Sequence, residues 1–415
     1  MRMKFRLLSV ILILGSILIS CLPAIGQIDK NFIENGGKAF AASTVAECQS
    51  SLQFCNEVLK VIPNHPLINY LAARLNALLG NNDIALDQLK KAAKLGYTSS
   101  VRWYEMHQLN DQAFIDLRDK KEFKEIIEIM KIADTPIHKS EIAFIVKDKK
   151  LETEGISYDP VERMFYLGSE YKIVKVDQLG NSIDFTIEGK HDGLGWVNGI
   201  HIDPVRRTLW ACSNGESKVE IFKYELSSGK LINKYTLPLD GSRHMFNDLV
   251  IHPNGNIYIS NTLDGAIYII HNSSDKLELF LKNKLFHGLN GITLSEDGRV
   301  IFVANDNLGI YKIDIKTKAF ARLTHNQSFN TYGIDGLYYS DNYLYAIQSM
   351  LLPQISRFSL NKDATQLESC EIFEKYTPYL SNPTTGVIVD DYFYFIADTQ
   401  GKGEKGIIIM KTSLE

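Results

Sequence analysis

Six segments of the chain open on an oxygen-bearing side chain, mostly followed by glycine, and then run into a short apolar strand. They begin at Glu154 (EGISYDPVERMFYLG), Asn198 (NGIHIDPVRRTLWACS), Asn247 (NDLVIHPNGNIYISN), Asn290 (NGITLSEDGRVIFVAN), Asp335 (DGLYYSDNYLYAIQ) and Thr385 (TGVIVDDYFYFIAD). None of the six leading residues offers sulfur or imidazole. Brought together, such a set suits a hard cation that takes roughly six to eight oxygen ligands, calcium first and magnesium or manganese second, and does not suit zinc. A single Asn-Gly or Asp-Gly is an ordinary turn former and says little by itself. Two carboxylates and three carboxamides at equivalent positions are harder to set aside. Crowded around one axis, the carboxylates would repel unless a cation stood between them.

The elements that must hold these residues follow from the repeat. The six starts lie 44, 49, 43, 45 and 50 residues apart, and each segment carries two strands around a tight turn. A period near 45 residues with about four strands per unit is the signature of propeller blades. The expected fold is therefore an all-β six-bladed β-propeller over residues 140–415, with the first strand of every blade lining a central channel and the six leading residues forming a ring. Blade six has room for only three strands before Glu415, the last being Gly406 to Lys411. The strand Glu141 to Lys147 (EIAFIVK) is available as its fourth, which would close the ring and remove two exposed sheet edges.

The segments TEGISYD, FNDLVIHPNGNIYISN, GLNGITLSEDGRVIFVAN and GIDGLYYS resemble the blade motifs of the gluconolactonase and regucalcin family, relatives of the paraoxonases and of diisopropyl fluorophosphatase. The resemblance covers roughly residues 140 to 415, in the same blade order. It implies a calcium ion held by Glu154, Asn247, Asn290 and Asp335, with Asp335 as the base that activates water, and a lactone or related ester as substrate. Two departures stand out. The arginine that sugar-lactone hydrolases carry two residues before the blade-three asparagine is replaced by Met245, with Arg243 and His244 out of register. VEIFKYE (Val219 to Glu225) is similar to the paraoxonase blade-two sequence, yet the histidine upstream of it there is replaced by Ser213-Asn214-Gly215. Trp196, Asn198, His201, His287 and Thr385 are candidates for the substrate-binding wall, although a lone histidine there is also an ordinary structural hydrogen-bonding group.

The chemistry expected is metal-dependent hydrolysis, the cation polarising a carbonyl and steadying the oxyanion while a carboxylate assists water. A carboxylate bound to a divalent cation is a weak base, so either Asp335 leaves the metal during turnover or a metal-bound water attacks. The rival is a non-catalytic propeller with a structural metal and a helical protein-interaction domain, since fold alone does not imply chemistry. A strictosidine-synthase-like propeller without metal ranks last, because Asn247 and Asn290 would then share no purpose.

Ahead of the propeller, residues 28–135 read as a small α-helical domain. Pro66 to Tyr97 forms two amphipathic stretches, with Leu71, Ala72, Leu75, Leu78 and Leu79 on one face and Ala85, Leu86, Leu89, Ala92 and Ala93 on the next, broken at Gly80-Asn81-Asn82. This resembles one tetratricopeptide repeat, flanked by helices over Ala46 to Val61 and Gln112 to Lys131, and reads either as a plain helical cap or spacer packed on its neighbours or as a face for a protein partner. Residues 1–26 have the form of a signal peptide: Arg2, Lys4 and Arg6 precede an apolar run from Leu7 to Ile19, too short to span a bilayer. Ala24-Ile25-Gly26 fits signal-peptidase cleavage, and Leu18-Ile19-Ser20-Cys21 resembles a bacterial lipobox that would acylate Cys21. Both predict export, to the periplasm or beyond, with membrane attachment only if Cys21 is lipidated. The remaining cysteines read as buried free thiols, Cys48 and Cys55 lying about 10 Å apart along a helix. With 415 residues, a net charge of −4 and 45% hydrophobic residues, composition excludes a disordered chain or polytopic membrane protein and gives no reason to expect nucleic acid as a partner.

Overall fold

In the computed structural model of the protein, the described residues are 41–97, 111–148, 150–186, 192–216, 218–237, 241–326, 328–350, 353–398 and 406–415. The proposed signal peptide and Cys21 lie outside them. Among the described residues four α-helices precede the strands: α1 (Val45–Val61), α2 (Pro66–Leu78), α3 (Asn82–Lys94) and α4 (Lys121–Ala133). Thr44 and Glu47 close a reciprocal capping box at the start of α1, which satisfies amides that no helical carbonyl can reach. Pro66 opens α2, its fixed φ suiting the first turn. Gly80, at φ 78°, makes the turn between α2 and α3, and Ala72 and Ala85 are fully buried where those helices meet. Leu78 departs from the expected apolar face: it closes α2 and is 39% exposed. The expected helix over Gln112 to Lys131 is also divided, into a 3-10 turn (Gln112–Leu117) and α4. The turn is fixed by Asp111, whose carboxylate accepts from Ala113 N, Tyr70 Oη and Arg74 Nε.

The remainder is a six-bladed propeller, each blade built outward from its inner strand by antiparallel pairing, with the short strand Thr324–His325 added in parallel to the outer strand of blade five. The inner strands are Thr153–Asp159, Trp196–Asp203, Phe246–Ile251, Leu289–Leu294, Ile334–Ser340 and Gly386–Val389. The last blade closes as the strand count required: Glu141–Val146 pairs antiparallel with Ile407–Ser413, so the chain's first long strand is the outer strand of its last blade. Glycines after the ring positions let the inner strands approach. A β-carbon on Gly155 would strike the main chain of Asn198, and one on Gly291 that of Asp335 and Leu337. Tight turns within blades rest on aspartates, Asp159 accepting from Val161 N and Glu162 N and also gripping Arg207 of blade two at 2.6 and 2.8 Å.

The helices dock on blades four and five. One continuous apolar core contains Tyr70, Leu71 and Leu89 from the helices together with Phe286, Leu308, Tyr311 and Tyr332 from the propeller. The His65 ring packs 4.5 Å from that of Tyr332, Asn330 Nδ2 donates to Leu95 O, and Lys375 Nζ donates to Ala133 O. Tyr332→Ala should therefore loosen both layers at once, costing about 3 kcal/mol in a denaturant titration; a loss below about 1 kcal/mol would mean that the layers are only loosely joined. Cys48, Cys55 and Cys212 are buried free thiols, whereas Cys370 is only partly buried, in the outer strand of blade five. Burial pushes the Cys55 and Cys370 thiols up to about 12, which leaves both unreactive at neutral pH. Among the described residues no helix is long and apolar enough to cross a membrane.

Candidate functional site

Each ring residue stands at or beside the start of an inner strand, and the first five sit in breaks of strand register. The register of inner against second strand shifts between Thr153 and Gly155, Val197 and Ile200, Phe246 and Leu249, Leu289 and Ile292, and Ile334 and Gly336. A bulge adds a residue to one strand and re-aims its side chain. Repeated in five blades, it frees Glu154, Asn198, Asn247, Asn290 and Asp335 from the regular alternation of the sheet.

In blades two to four a polar residue at or just beyond the end of the second strand fixes how the ring residue is turned. Asn290 Nδ2 donates to Asp306 Oδ1 at 3.1 Å. Asn247 Nδ2 donates to Thr262 Oγ1 at 3.1 Å, an oxygen that must accept, because the hydroxyl proton goes to Leu289 O at 2.6 Å. With their amino groups held outward, both carboxamides turn oxygen toward the axis. Asn290 Oδ1 is buried and has no hydrogen-bond partner among the described residues, a costly state unless a ligand meets it. Asn198 is turned the opposite way. Its Oδ1 accepts from Asn214 Nδ2 at 2.8 Å, and Asn214 is locked because its amide pairs with both N and O of Phe246, at 3.0 and 2.8 Å.

The carboxylates are strained electrostatically. Burial raises the Glu154 carboxyl above its usual range, against the pull of the Trp196 indole, which donates to it at 3.3 Å. Burial, then the charges of Glu154 and Asp306, push Asp335 well up, opposed by a Ser349 hydrogen bond. Burial brings Asp306 to about 7. Among the described residues no lysine or arginine forms an ion pair with Glu154, Asp306 or Asp335. Asp248, which takes the place of the repeat glycine in blade three, adds a buried acid at 3.6 Å from His201 Nε2.

This donor set fits a hard cation: two uncompensated carboxylates and two carboxamide oxygens turned toward one axis. Among the described residues no three of His, Cys, Asp and Glu stand close enough to hold an ion on their own, so the carboxamides would be needed to complete the set. Asp306, raised by burial, stabilises the metal-free protein below about pH 4, and that stability is lost as pH rises toward about 7, by roughly 1.4 kcal/mol per pH unit; Glu154 and Asp335, raised in the same direction, act with the same sign. The chelated protein should thus be less stable at pH 8 than at pH 5, and added calcium should raise the denaturation midpoint more at pH 8. Equal calcium effects at the two pH values would remove the acids from the site.

Of the other residues expected on the substrate wall, Trp196 touches the ring directly. Thr385 donates its hydroxyl to the main-chain oxygen of Glu154, as does Thr384 at 3.0 Å, so both stitch blade six to blade one. His287 Nδ1 lies 3.1 Å from Leu263 O, bracing the neighbouring loop, and burial lowers its pKa. Met245 contributes its main-chain N–H to Asn261 Oδ1. Sequence reasoning passed over Asn214, Thr262, Asp306 and Ser349, although each follows its ring residue by 14 to 16 positions, at the end of the second strand.

No protein-family model matches the sequence, and no curated protein matches it. Among solved structures, the chain is similar to a gluconolactonase from Xanthomonas campestris, at 15% identity over 65% of this chain and 88% of that one, with a TM-score of 0.49. It is also similar to luciferin-regenerating enzyme (14% identity, 68% and 94% covered, TM-score 0.47) and to virginiamycin B lyase from Staphylococcus aureus (17%, 61% and 80%, 0.46). Gluconolactonase-like propellers are thus among its structural neighbours. The likeness is one of fold, and the three names differ in chemistry, so the chemistry has to be argued from the site.

Proposed function

We propose that this chain is an exported, metal-dependent hydrolase of a lactone or related ester, with calcium held by Glu154, Asn247, Asn290 and Asp335. The observation that carries this reading is the pair of carboxamides whose oxygens are turned inward beside two carboxylates that no protein cation neutralises. Calcium bound there would polarise the substrate carbonyl and stabilise the charge that develops on it. Asp335, whose carboxyl is raised by burial and then by its acidic neighbours when no cation is on it, takes the proton from the attacking water once it has left the cation. Glu154, held by Trp196, supplies fixed negative charge. Thr262 and Asp306 keep the two carboxamides from rotating.

The test is hydrolysis of a panel of sugar lactones, aliphatic lactones and aryl esters by the mature protein, with calcium and after chelation. Chelator-sensitive turnover of any member supports the reading. Calcium binding without turnover would favour a propeller that binds without catalysis, and the helical layer would then be the place to seek a protein partner.

A further inference from the structure

Asn198 occupies a ring position yet is turned opposite to Asn247 and Asn290. Its orientation is fixed by a chain of bonds that ends in the backbone. Phe246 N–H can only donate and Phe246 O can only accept, so Asn214 has one way to face them. The second N–H of Asn214 then points at Asn198, which must answer with oxygen. Asn214 closes the second strand of blade two, radially outside Asn198. The Asn198 amino group is therefore left on the channel side, where nothing among the described residues accepts from it. Asn198 is itself buried, 7% exposed, and its own main chain is pinned against Gly155 of blade one. An oriented N–H donor on an otherwise buried side chain, open to the channel beside oxygen ligands, has no use for a cation. It suits an acceptor oxygen on whatever the cation binds.

We infer that Asn198 is not a metal ligand but the N–H donor that grips an oxygen of the bound substrate, and that Asn214 is its positioning residue. The inference deepens the hydrolase reading and rests on it for the identity of that oxygen: the carbonyl oxygen, on which negative charge grows as water adds. In that role the donor acts mainly in the transition state, and losing one such donor costs roughly 10²- to 10³-fold in kcat. The polarity of the ring thereby divides its labour. Asn247 and Asn290 present oxygen to a cation, and Asn198 presents hydrogen to the ligand.

The test separates metal from ligand. Terbium luminescence measures cation affinity, calorimetry with D-gluconate measures binding of an oxygen ligand to the calcium-loaded protein, and the lactone panel measures turnover. Asn198→Ala should keep terbium affinity within about threefold of the parent, while Asn290→Ala, the control, loses tenfold or more. Gluconate binding by Asn198→Ala should weaken at least tenfold, and turnover of any lactone the parent hydrolyses should fall roughly 10²-fold or more. Asn198→Asp guards against misfolding: its carboxylate still accepts from Asn214 but offers no N–H, so it should bind terbium at least as well as the parent and gluconate poorly. Terbium loss in Asn198→Ala equal to that of Asn290→Ala would make Asn198 a ligand and overturn the inference. Unchanged gluconate binding and turnover would overturn it as well. A parent protein that binds gluconate but hydrolyses nothing refutes the hydrolase reading and leaves the donor to be decided by the binding arm. A parent that binds terbium and neither ligand refutes both.

Discussion

Glu154→Gln is expected to weaken calcium binding by roughly a hundredfold while making the metal-free protein more stable. The two effects have one origin. At ordinary calcium–oxygen distances, near 2.4 Å, a divalent cation and a single carboxylate charge interact by about 3.5 kcal/mol even at the dielectric constant of water. The carboxamide that replaces it returns only part of that. Without the cation the same charge is a burden, because Glu154 is buried and repels Asp335. Glutamine keeps an oxygen for the Trp196 indole, which donates to Oε2 at 3.3 Å, so the variant should fold. Calcium titration and denaturation at pH 8 in chelator would read the two signs separately. Unchanged affinity, or a metal-free protein made less stable, would take Glu154 out of the cation site.

The fold was legible because the chain repeats itself. Alternating apolar residues around turn motifs such as Asp159-Pro160 and Asp203-Pro204 recur with one period, and the shortfall of one strand in the last blade identified its donor. Glu141–Val146 fills that place. The break between the 3-10 turn and α4 was not legible, because it depends on a long-range event: Asp111 is drawn to Tyr70 and Arg74 of another helix. Nor was the docking of the helices on blades four and five, since an amphipathic face declares that it will be covered without saying by what. His65 meeting Tyr332 is a contact across more than 260 residues that no local pattern encodes.

The ring was legible as a set of equivalent positions, but its polarity was not. Asn198, Asn247 and Asn290 are the same residue type at the same repeat position, and nothing in a local window says which end of each amide faces inward. That is decided one strand away, by Asn214, Thr262 and Asp306. The bulges that carry the ring residues were hidden for a similar reason. A bulge is a property of two strands in register, and sequence alternation describes one strand at a time.

Asp335→Asn is expected to lower turnover by roughly 10²- to 10⁴-fold at saturating calcium, the range a positioned general base contributes. Saturation matters because Asp335 belongs to the proposed cation set as well, so the variant loses affinity and base together, and only the rate at full occupancy isolates the second. The substitution is nearly isosteric, and the asparagine oxygen can still accept the hydrogen bond that Ser349 gives to Asp335. Removing the carboxylate also relieves the repulsion around Glu154 and Asp306, so the metal-free variant should be at least as stable as the parent. A rate loss with an intact fold then cannot be assigned to unfolding. The pH dependence supplies an independent check. With Asp335 present, kcat/KM should fall at acid pH as the base is protonated, and in Asp335→Asn that limb should flatten. A variant that keeps both its rate and its acid limb at saturating calcium would move the base to another group, and Asp306, buried at the same axis and bonded to Asn290, would be the next carboxylate to replace.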